Sequence, residues 1–383
     1  MPVSRNKKQP LVVDDAKPFA DLTKRLRKQP RIALDTEAAS YHRYYDRIYL
    51  VQVSSEAETA VIDPLAVKDL APIGEMLADP DVEIVFHDAD YDLRVLDRDY
   101  GFHARNLFDT RVAAQLLGEP GVGLGALLEK YFDVQVDKKM QRADWSRRPL
   151  TDEMIHYAAG DTTFLLALRD TLAAKLEKAG RMAWAREEFA RLEHLRWTTS
   201  NDGQSFLRVK GAKKLPPRSL AILRAVHQWR DGKAGELDRA PFRVLGNDAM
   251  ITLAKAAPTT ASALQRIRGV PDSAARRYSD ELLAAVRQGL DTPEDKYPKV
   301  ERGKRPKMTR ATEAAFERLK SYRNRRARVV GIEAGVFCPN GTLQAIARAA
   351  PKTVDELEAI DELRDWQIEA LDPEVLLKTL HEA

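Results

Sequence analysis

Apolar and polar residues alternate, or form short apolar blocks, through the first hundred positions of the chain. Residues 31–35, 47–53, 58–62 and 82–86 read as strands separated by short polar turns. The first three follow each other too closely for crossover helices, so they are expected to form an antiparallel meander. A helical period takes over at 67–77 and returns near 89–99. After Asp109 the pattern is mostly helical, broken by a glycine-rich turn at 118–125. That turn follows a helix and lacks a Lys-Ser/Thr ending, so it is not a phosphate loop.

Past Leu192 the pattern changes. Residues 201–204 and 213–217 read as a linker and a helix start, and 216–290 as a compact all-helical unit. A second linker, rich in Pro, Lys and Arg, covers 291–307. Residues 308–381 then echo the first helical unit. The basic run 323–328 followed by Gly335-Val336-Phe337 parallels 230–239 followed by 241–245, and 343–349 parallels 251–257. Where the first copy has Gly269, the second is acidic and has no glycine, which argues against phosphate binding by its hairpin. Three domains are expected, at 1–200, 213–291 and 308–383, and a chain of 383 residues has room for them.

Composition narrows the class. With 44% hydrophobic and 31% charged residues the chain has ample core material, and no apolar run reaches the length of a membrane span. No apolar signal region follows the basic start, so a cytoplasmic location is expected. Cys338 is the sole cysteine, which excludes disulfide scaffolds and Cys-rich zinc sites. The net charge of +4 hides an asymmetry. Residues 201–350 hold 30 Lys and Arg against 15 Asp and Glu, while 1–200 and 351–383 are net acidic. A basic block of that size suggests a polyanion-binding module. In the second copy its basic face is expected along 302–328, which carries eleven Lys and Arg.

The candidate chemistry is acidic. Asp35-Thr36-Glu37 ends a predicted buried strand, and residues two apart on a strand point to one side. Asp92 falls in the helix after the strand 82–86. Thr151 caps a further helix, on which Tyr157 and Asp161, four apart, share a face. Asp35, Glu37, Asp92 and Asp161 thus bring four carboxylates from three elements. Such a set suits two hard divalent cations, Mg²⁺ or Mn²⁺, about 3.5–4 Å apart, which activate a water and steady the leaving oxygen in phosphodiester cleavage. Tyr157 would orient that water or act as its base.

These residues resemble the DEDD 3′–5′ exonucleases on the ribonuclease H-like fold, most closely the ribonuclease D branch, over roughly residues 10–195. The motifs are Asp35-Thr36-Glu37, His87 with Asp92, and Tyr157-Ala158-Ala159-Gly160-Asp161. Between them, Phe108-Asp109-Thr110 and the stretch from Asp144-Trp145 to Arg148-Pro149-Leu150 match that branch. The helical units resemble the helicase-and-ribonuclease-D C-terminal (HRDC) domain, the first including Arg266-Ile267-Arg268-Gly269-Val270-Pro271. The implied fold is an α/β exonuclease domain, a mixed sheet flanked by helices, followed by two small all-α HRDC-like bundles.

The resemblance implies a first metal on Asp35, Glu37 and Asp161 and a second on Asp35 and Asp92. It implies substrate contacts from Thr36, Gln52, His87, Lys138, Trp145 and Arg148. The superfamily divides by a Tyr four residues, or a His five residues, before the last Asp. His156-Tyr157 satisfies both spacings, and the Trp145–Arg148-Pro149-Leu150 context favours Tyr157. The implied activity is metal-dependent trimming of RNA 3′ ends, with precursor tRNA and other small structured RNAs as substrates. No membrane partner is expected, and a monomer is. Two other functions compete: a single-strand DNA exonuclease using the same site, and a non-catalytic nucleic-acid scaffold. Four convergent acids argue against the scaffold.

Overall fold

The structure, a computed structural model, describes residues 9–137, 139–198, 203–300 and 308–382. The predicted contact Lys138, the N-terminal basic residues, part of each linker and the first part of the 302–328 basic stretch lie outside the described residues. Two compact units are present. One comprises residues 1–37, 48–197 and 306–383, the other 38–47 and 198–305.

The first unit is built on a six-stranded mixed sheet: β1 (Leu11–Val13), β2 (Arg31–Ala38), β3 (Ile48–Ser54), β4 (Thr59–Ile62), β5 (Glu83–Phe86) and β6 (Leu107–Asp109), in the order β1-β4-β3-β2-β5-β6. The β3–β4 pair is antiparallel, as the short connection requires, and β1–β4, β2–β5 and β5–β6 are parallel. Two strands escaped the sequence pattern. β1 and β6 are three residues each, too short to show a period. β3 is buried along its whole length, and β4 and β5 at all but their first residue, which explains their continuous apolar runs. Among the described residues eight α-helices belong to this fold: α1 (Ala16–Leu26), α2 (Ala71–Ala78), α3 (Asp90–Tyr100), α4 (Thr110–Leu116), α5 (Leu124–Phe132), α6 (Asp152–Thr163), α7 (Leu165–Lys178) and α8 (Met182–Leu192). Among them α6 lies over β3 and β4, while α7 and α8 cover β5 and β6. No helix of the described residues is long and apolar enough to cross a membrane.

The helical unit of residues 198–305 centres on α9 (Pro217–Glu236), with α10 (Pro241–Val244), α11 (Asn247–Ala256), α12 (Ala261–Gln265), α13 (Asp272–Arg277) and α14 (Ser279–Leu290). The C-terminal bundle runs α15 (Arg310–Val330), α16 (Ala334–Phe337), α17 (Asn340–Ala349), α18 (Val354–Glu358), α19 (Asp365–Leu371) and α20 (Pro373–His381). The internal repeat extends to buried detail. Arg230 donates to the Leu245 carbonyl and to Asn247, and Arg323 donates to the Cys338 carbonyl and to Asn340. Ala257 and Ala350 end equivalent helices with the same left-handed φ of 47°.

The C-terminal bundle shares a hydrophobic core with the nuclease fold instead of standing apart. Trp366 stacks on Trp184 of α8 with ring centroids 5.2 Å apart. The Glu187 carboxylate accepts the first amides of α19, from Asp365 and Trp366, at 3.0 Å each. Glu188 accepts the Trp366 indole at 2.8 Å. A carboxylate on exposed helix amides is a favourable anion–dipole contact. In this copy the helix N-terminus is therefore filled from within the chain. Gly118 explains part of the glycine-rich turn: a Cβ there would meet the Gly331 carbonyl oxygen at 1.8 Å.

Candidate active site

The site assembles at the end of β2. Ile32, Ala33 and Leu34 anchor the strand in the core, and Asp35 and Glu37 emerge beyond them on one side. On α6, Thr151 caps the N-terminus by accepting the Met154 amide at 3.2 Å. Ser54 of β3 donates to Thr162 at 2.8 Å and fixes the far end of that helix. Asp161 is thereby brought to Asp35 and Glu37, and the three carboxylates offer oxygens all within 4.8 Å of one another.

Asp92 approaches from α3 and is buried. One of its oxygens accepts both the Thr36 amide, at 3.1 Å, and the Thr36 hydroxyl. It stands outside the three-carboxylate group, yet its charge raises the Asp35, Glu37 and Asp161 acids. The mount of Asp92 was not legible in the sequence. Asp109, almost fully buried, accepts the amides of Asp88, Ala89, Arg111 and Val112 at 2.8–3.3 Å. It thus ties the turn before α3, where Asp88 takes a φ of 67°, to the start of α4. Thr110 donates to the Phe86 carbonyl at 3.0 Å and bonds the His87 ring at 2.9 Å. The only sequence signal for this bracket is a strand ending in Asp-Thr ahead of a helix, a common capping pattern.

The electrostatics are those of a site built for cations. Burial first, and then the neighbouring carboxylates, hold Asp35 and Glu37 well above the ordinary carboxylate range. Burial pushes Asp92 and Asp161 to about 7. Oxygen ligands at roughly 2.0–2.6 Å from a hard cation cannot be more than about 5 Å apart. The Asp35–Glu37–Asp161 spacing meets that limit, and its all-oxygen donor set suits such an ion.

Tyr157 sits at this cluster: burial, then Asp161, Glu37 and Asp35, raise its phenol above the usual range. Its ring lies 6.0 Å from that of Trp145, which is buried. His156 instead is exposed and bonds back to the Asp152 carbonyl at 2.7 Å. Of the predicted substrate contacts, Thr36 and His87 serve the mount of Asp92. Arg148 is tied to Asp63, to the Tyr49 carbonyl and to the Trp145 carbonyl. Burial alone would raise Asp63, but those Arg148 bonds and the Leu65 and Ala66 amides bring it below its ordinary value. Gln52 is fully buried in β3, and neither its amide oxygen nor its nitrogen finds a hydrogen-bond partner. Trp145 and Gln52 therefore present no surface to a nucleotide in this conformation.

A mixed sheet that gathers acidic side chains from β2, α3 and α6 defines a metal-dependent 3′–5′ exonuclease. The family described as 3′–5′ exonuclease matches residues 10–177, and the HRDC domain matches 219–286 and 312–377. Ribonuclease D of Pseudomonas paraeruginosa is 31% identical across 97% of both chains, and that of Granulibacter bethesdensis is 34% identical across 77% of this chain and 75% of its own. The crystal structure of Escherichia coli RNase D, an exoribonuclease involved in structured RNA processing, superposes with a TM-score of 0.72 at 27% identity, covering 97% of this chain and 99% of that one. A protein from Bifidobacterium adolescentis superposes with a TM-score of 0.83 at 25% identity over 98% of both. The chain belongs to the ribonuclease D family and is a 3′–5′ exoribonuclease that binds nucleic acid and carries two HRDC domains.

Proposed function

We propose that the enzyme removes nucleotides one at a time from the 3′ ends of precursor tRNA and other small structured RNAs, using two Mg²⁺ or Mn²⁺ ions. The observation that carries the reading is the Asp35–Glu37–Asp161 cluster, three carboxylates close enough to share one ion. Asp35, Glu37 and Asp161 would hold the first ion, and Asp35 and Asp92 would serve the second. When bound, the ions supply charge neutralisation and an activated water. The chain's own residues do the rest. Thr36 and the Asp109 bracket hold Asp92 in register. Tyr157, its phenol raised and so protonated at neutral pH, orients the attacking water by a hydrogen bond and does not act as its base. Water adds at the terminal phosphorus, the 3′ oxygen of the preceding nucleotide leaves, and a nucleoside 5′-monophosphate is released. Trp145 packs beside Tyr157, and Arg148 ties the Tyr49 carbonyl of β3 to Asp63, the residue after β4.

The three domains expected at 1–200, 213–291 and 308–383 divide the labour, hydrolysis in the first and grip on the RNA body in the basic helical region. The enzyme acts as a monomer in the cytoplasm, and its single, buried cysteine accords with a reducing compartment. Purified protein with Mg²⁺, offered 3′-extended tRNA, single-stranded RNA and single-stranded DNA in parallel, tests the proposal. Faster trimming of the tRNA extension, abolished by EDTA, is expected. Equal or faster cleavage of DNA would overturn it.

A further inference from the structure

Nine large apolar side chains stand exposed among the described residues, and three of them, Tyr41, Tyr45 and Phe242, belong to one region of the second unit. There the 38–47 loop packs on the turn that leads into α10. Its backbone is fixed at several points. Ala240 donates its amide to the His42 carbonyl at 3.1 Å, and Asp238 accepts the Tyr44 and Tyr45 amides at 3.2 and 3.1 Å. The Tyr44 hydroxyl donates to Asp231 at 3.0 Å, and Arg243 donates from Nε to the Tyr41 carbonyl at 2.8 Å. The outcome is an ordered aromatic corner. The Tyr41 and Phe242 rings meet with centroids 5.0 Å apart, tilted by 50°, and the Arg243 guanidinium lies 4.8 Å from the Tyr41 ring centre. Yet Tyr41 remains 42% and Phe242 46% exposed.

Leaving two aromatic rings in water forgoes their burial energy, and holding them rigid adds an entropic cost. Both costs are recovered when flat apolar surfaces stack on the rings. The unit bearing them has 23 Lys and Arg against 13 Asp and Glu, a net +10, which complements a polyanion. Exposed aromatics beside a fixed guanidinium, on a strongly basic body, form the combination on which unpaired bases stack while cations meet the phosphates. The loop also has a defined place in the chain. Tyr41 follows Glu37 by four residues in the sequence.

We propose that Tyr41, Phe242 and Arg243 form a stacking platform for unpaired bases of the RNA strand upstream of its 3′ terminus. The proposal rests on the exoribonuclease reading and adds a second contact region, outside the carboxylate cluster, that sets how substrate length is sensed.

The test uses the full chain and a 5′-labelled 12-nucleotide oligoadenylate. Binding is read by fluorescence anisotropy in EDTA. Tyr41→Ala and Phe242→Ala are each expected to weaken binding about tenfold, within the range for losing one base–aromatic stack. In Mg²⁺, the kcat/KM preference for the 12-mer over a dinucleotide is expected to fall by a similar factor, and Phe242→Trp is expected to restore both. Affinities within twofold of the unaltered protein in both alanine variants would overturn the platform. So would a Trp variant as weak as the Ala variant, or an equal loss on the dinucleotide, which would mean that the damage reaches β2. If the unaltered protein binds the 12-mer in a Phe242-dependent way but hydrolyses no RNA in Mg²⁺, the platform stands and the activity reading fails.

Discussion

Thr36 donates both its amide and its hydroxyl to a single oxygen of Asp92, so the residue between Asp35 and Glu37 is itself the mount of the fourth carboxylate. A hydrogen bond to a buried charge contributes about 1.5–3 kcal/mol. Thr36→Val, which keeps the shape and removes the hydroxyl, should reduce turnover by roughly tenfold or more. Thr36→Ser should recover most of it. Steady-state rates at saturating Mn²⁺ decide the point, and a Val variant as fast as the parent would show that the hydroxyl bond is idle.

The carboxylate cluster gives the sharpest expectation. Asp35→Asn or Asp161→Asn should abolish hydrolysis while leaving RNA binding intact or tighter, because the change removes both a ligand and a repulsion toward phosphate. More than a tenth of the parent turnover in both variants would rule out the two-ion assignment.

Tyr157 and His156 are adjacent in sequence but differently placed. Tyr157→Phe should slow the chemical step by about two orders of magnitude, a typical effect of losing one positioned catalytic group. His156→Ala should cost little, since its ring bonds its own helix. Single-turnover rates that reverse this order would assign the mechanism to the histidine.

Proton linkage yields a further expectation. Asp92 and Asp161 sit at about 7 in the folded protein, against roughly 3.9 for an unfolded Asp. Carboxyls raised in this way favour the protonated folded state. Their contribution is fully present below about pH 4 and is lost as pH rises toward 7. A divalent cation takes the place of those protons, so its stabilising effect must grow over the same window. The difference in Tm with Mn²⁺ and with EDTA should therefore widen from pH 5 to pH 7. A difference independent of pH would mean that the ion does not displace protons from these acids.

The C-terminal bundle should behave as part of the nuclease fold. Trp366→Ala removes a buried ring from the α8 interface and should destabilise the first unit by about 3 kcal/mol, measured by urea unfolding. Loss of the bundle with no change in nuclease stability would contradict the shared core.

Much of the catalytic centre was legible from local rules. Asp35 and Glu37 share a side because a strand repeats every two residues, and Tyr157 and Asp161 share a face because a helix nearly repeats every four. The long buried strands and the doubled helical pattern were equally visible, since burial imposes a period on any element of sufficient length. What the period records is that a segment is covered, and it is silent on what covers it. The tertiary structure alone shows that the bracket for Asp92 is Asp109, reached across two strands, and that Gln52 and Trp145 are enclosed. It also shows that the 38–47 loop leaves the sheet for the first helical bundle and that the acidic hairpin of the second repeat docks on Glu187 and Trp184. These are contacts between segments far apart in sequence, chosen by which complementary surfaces can be buried together, and no local pattern of residues carries that information.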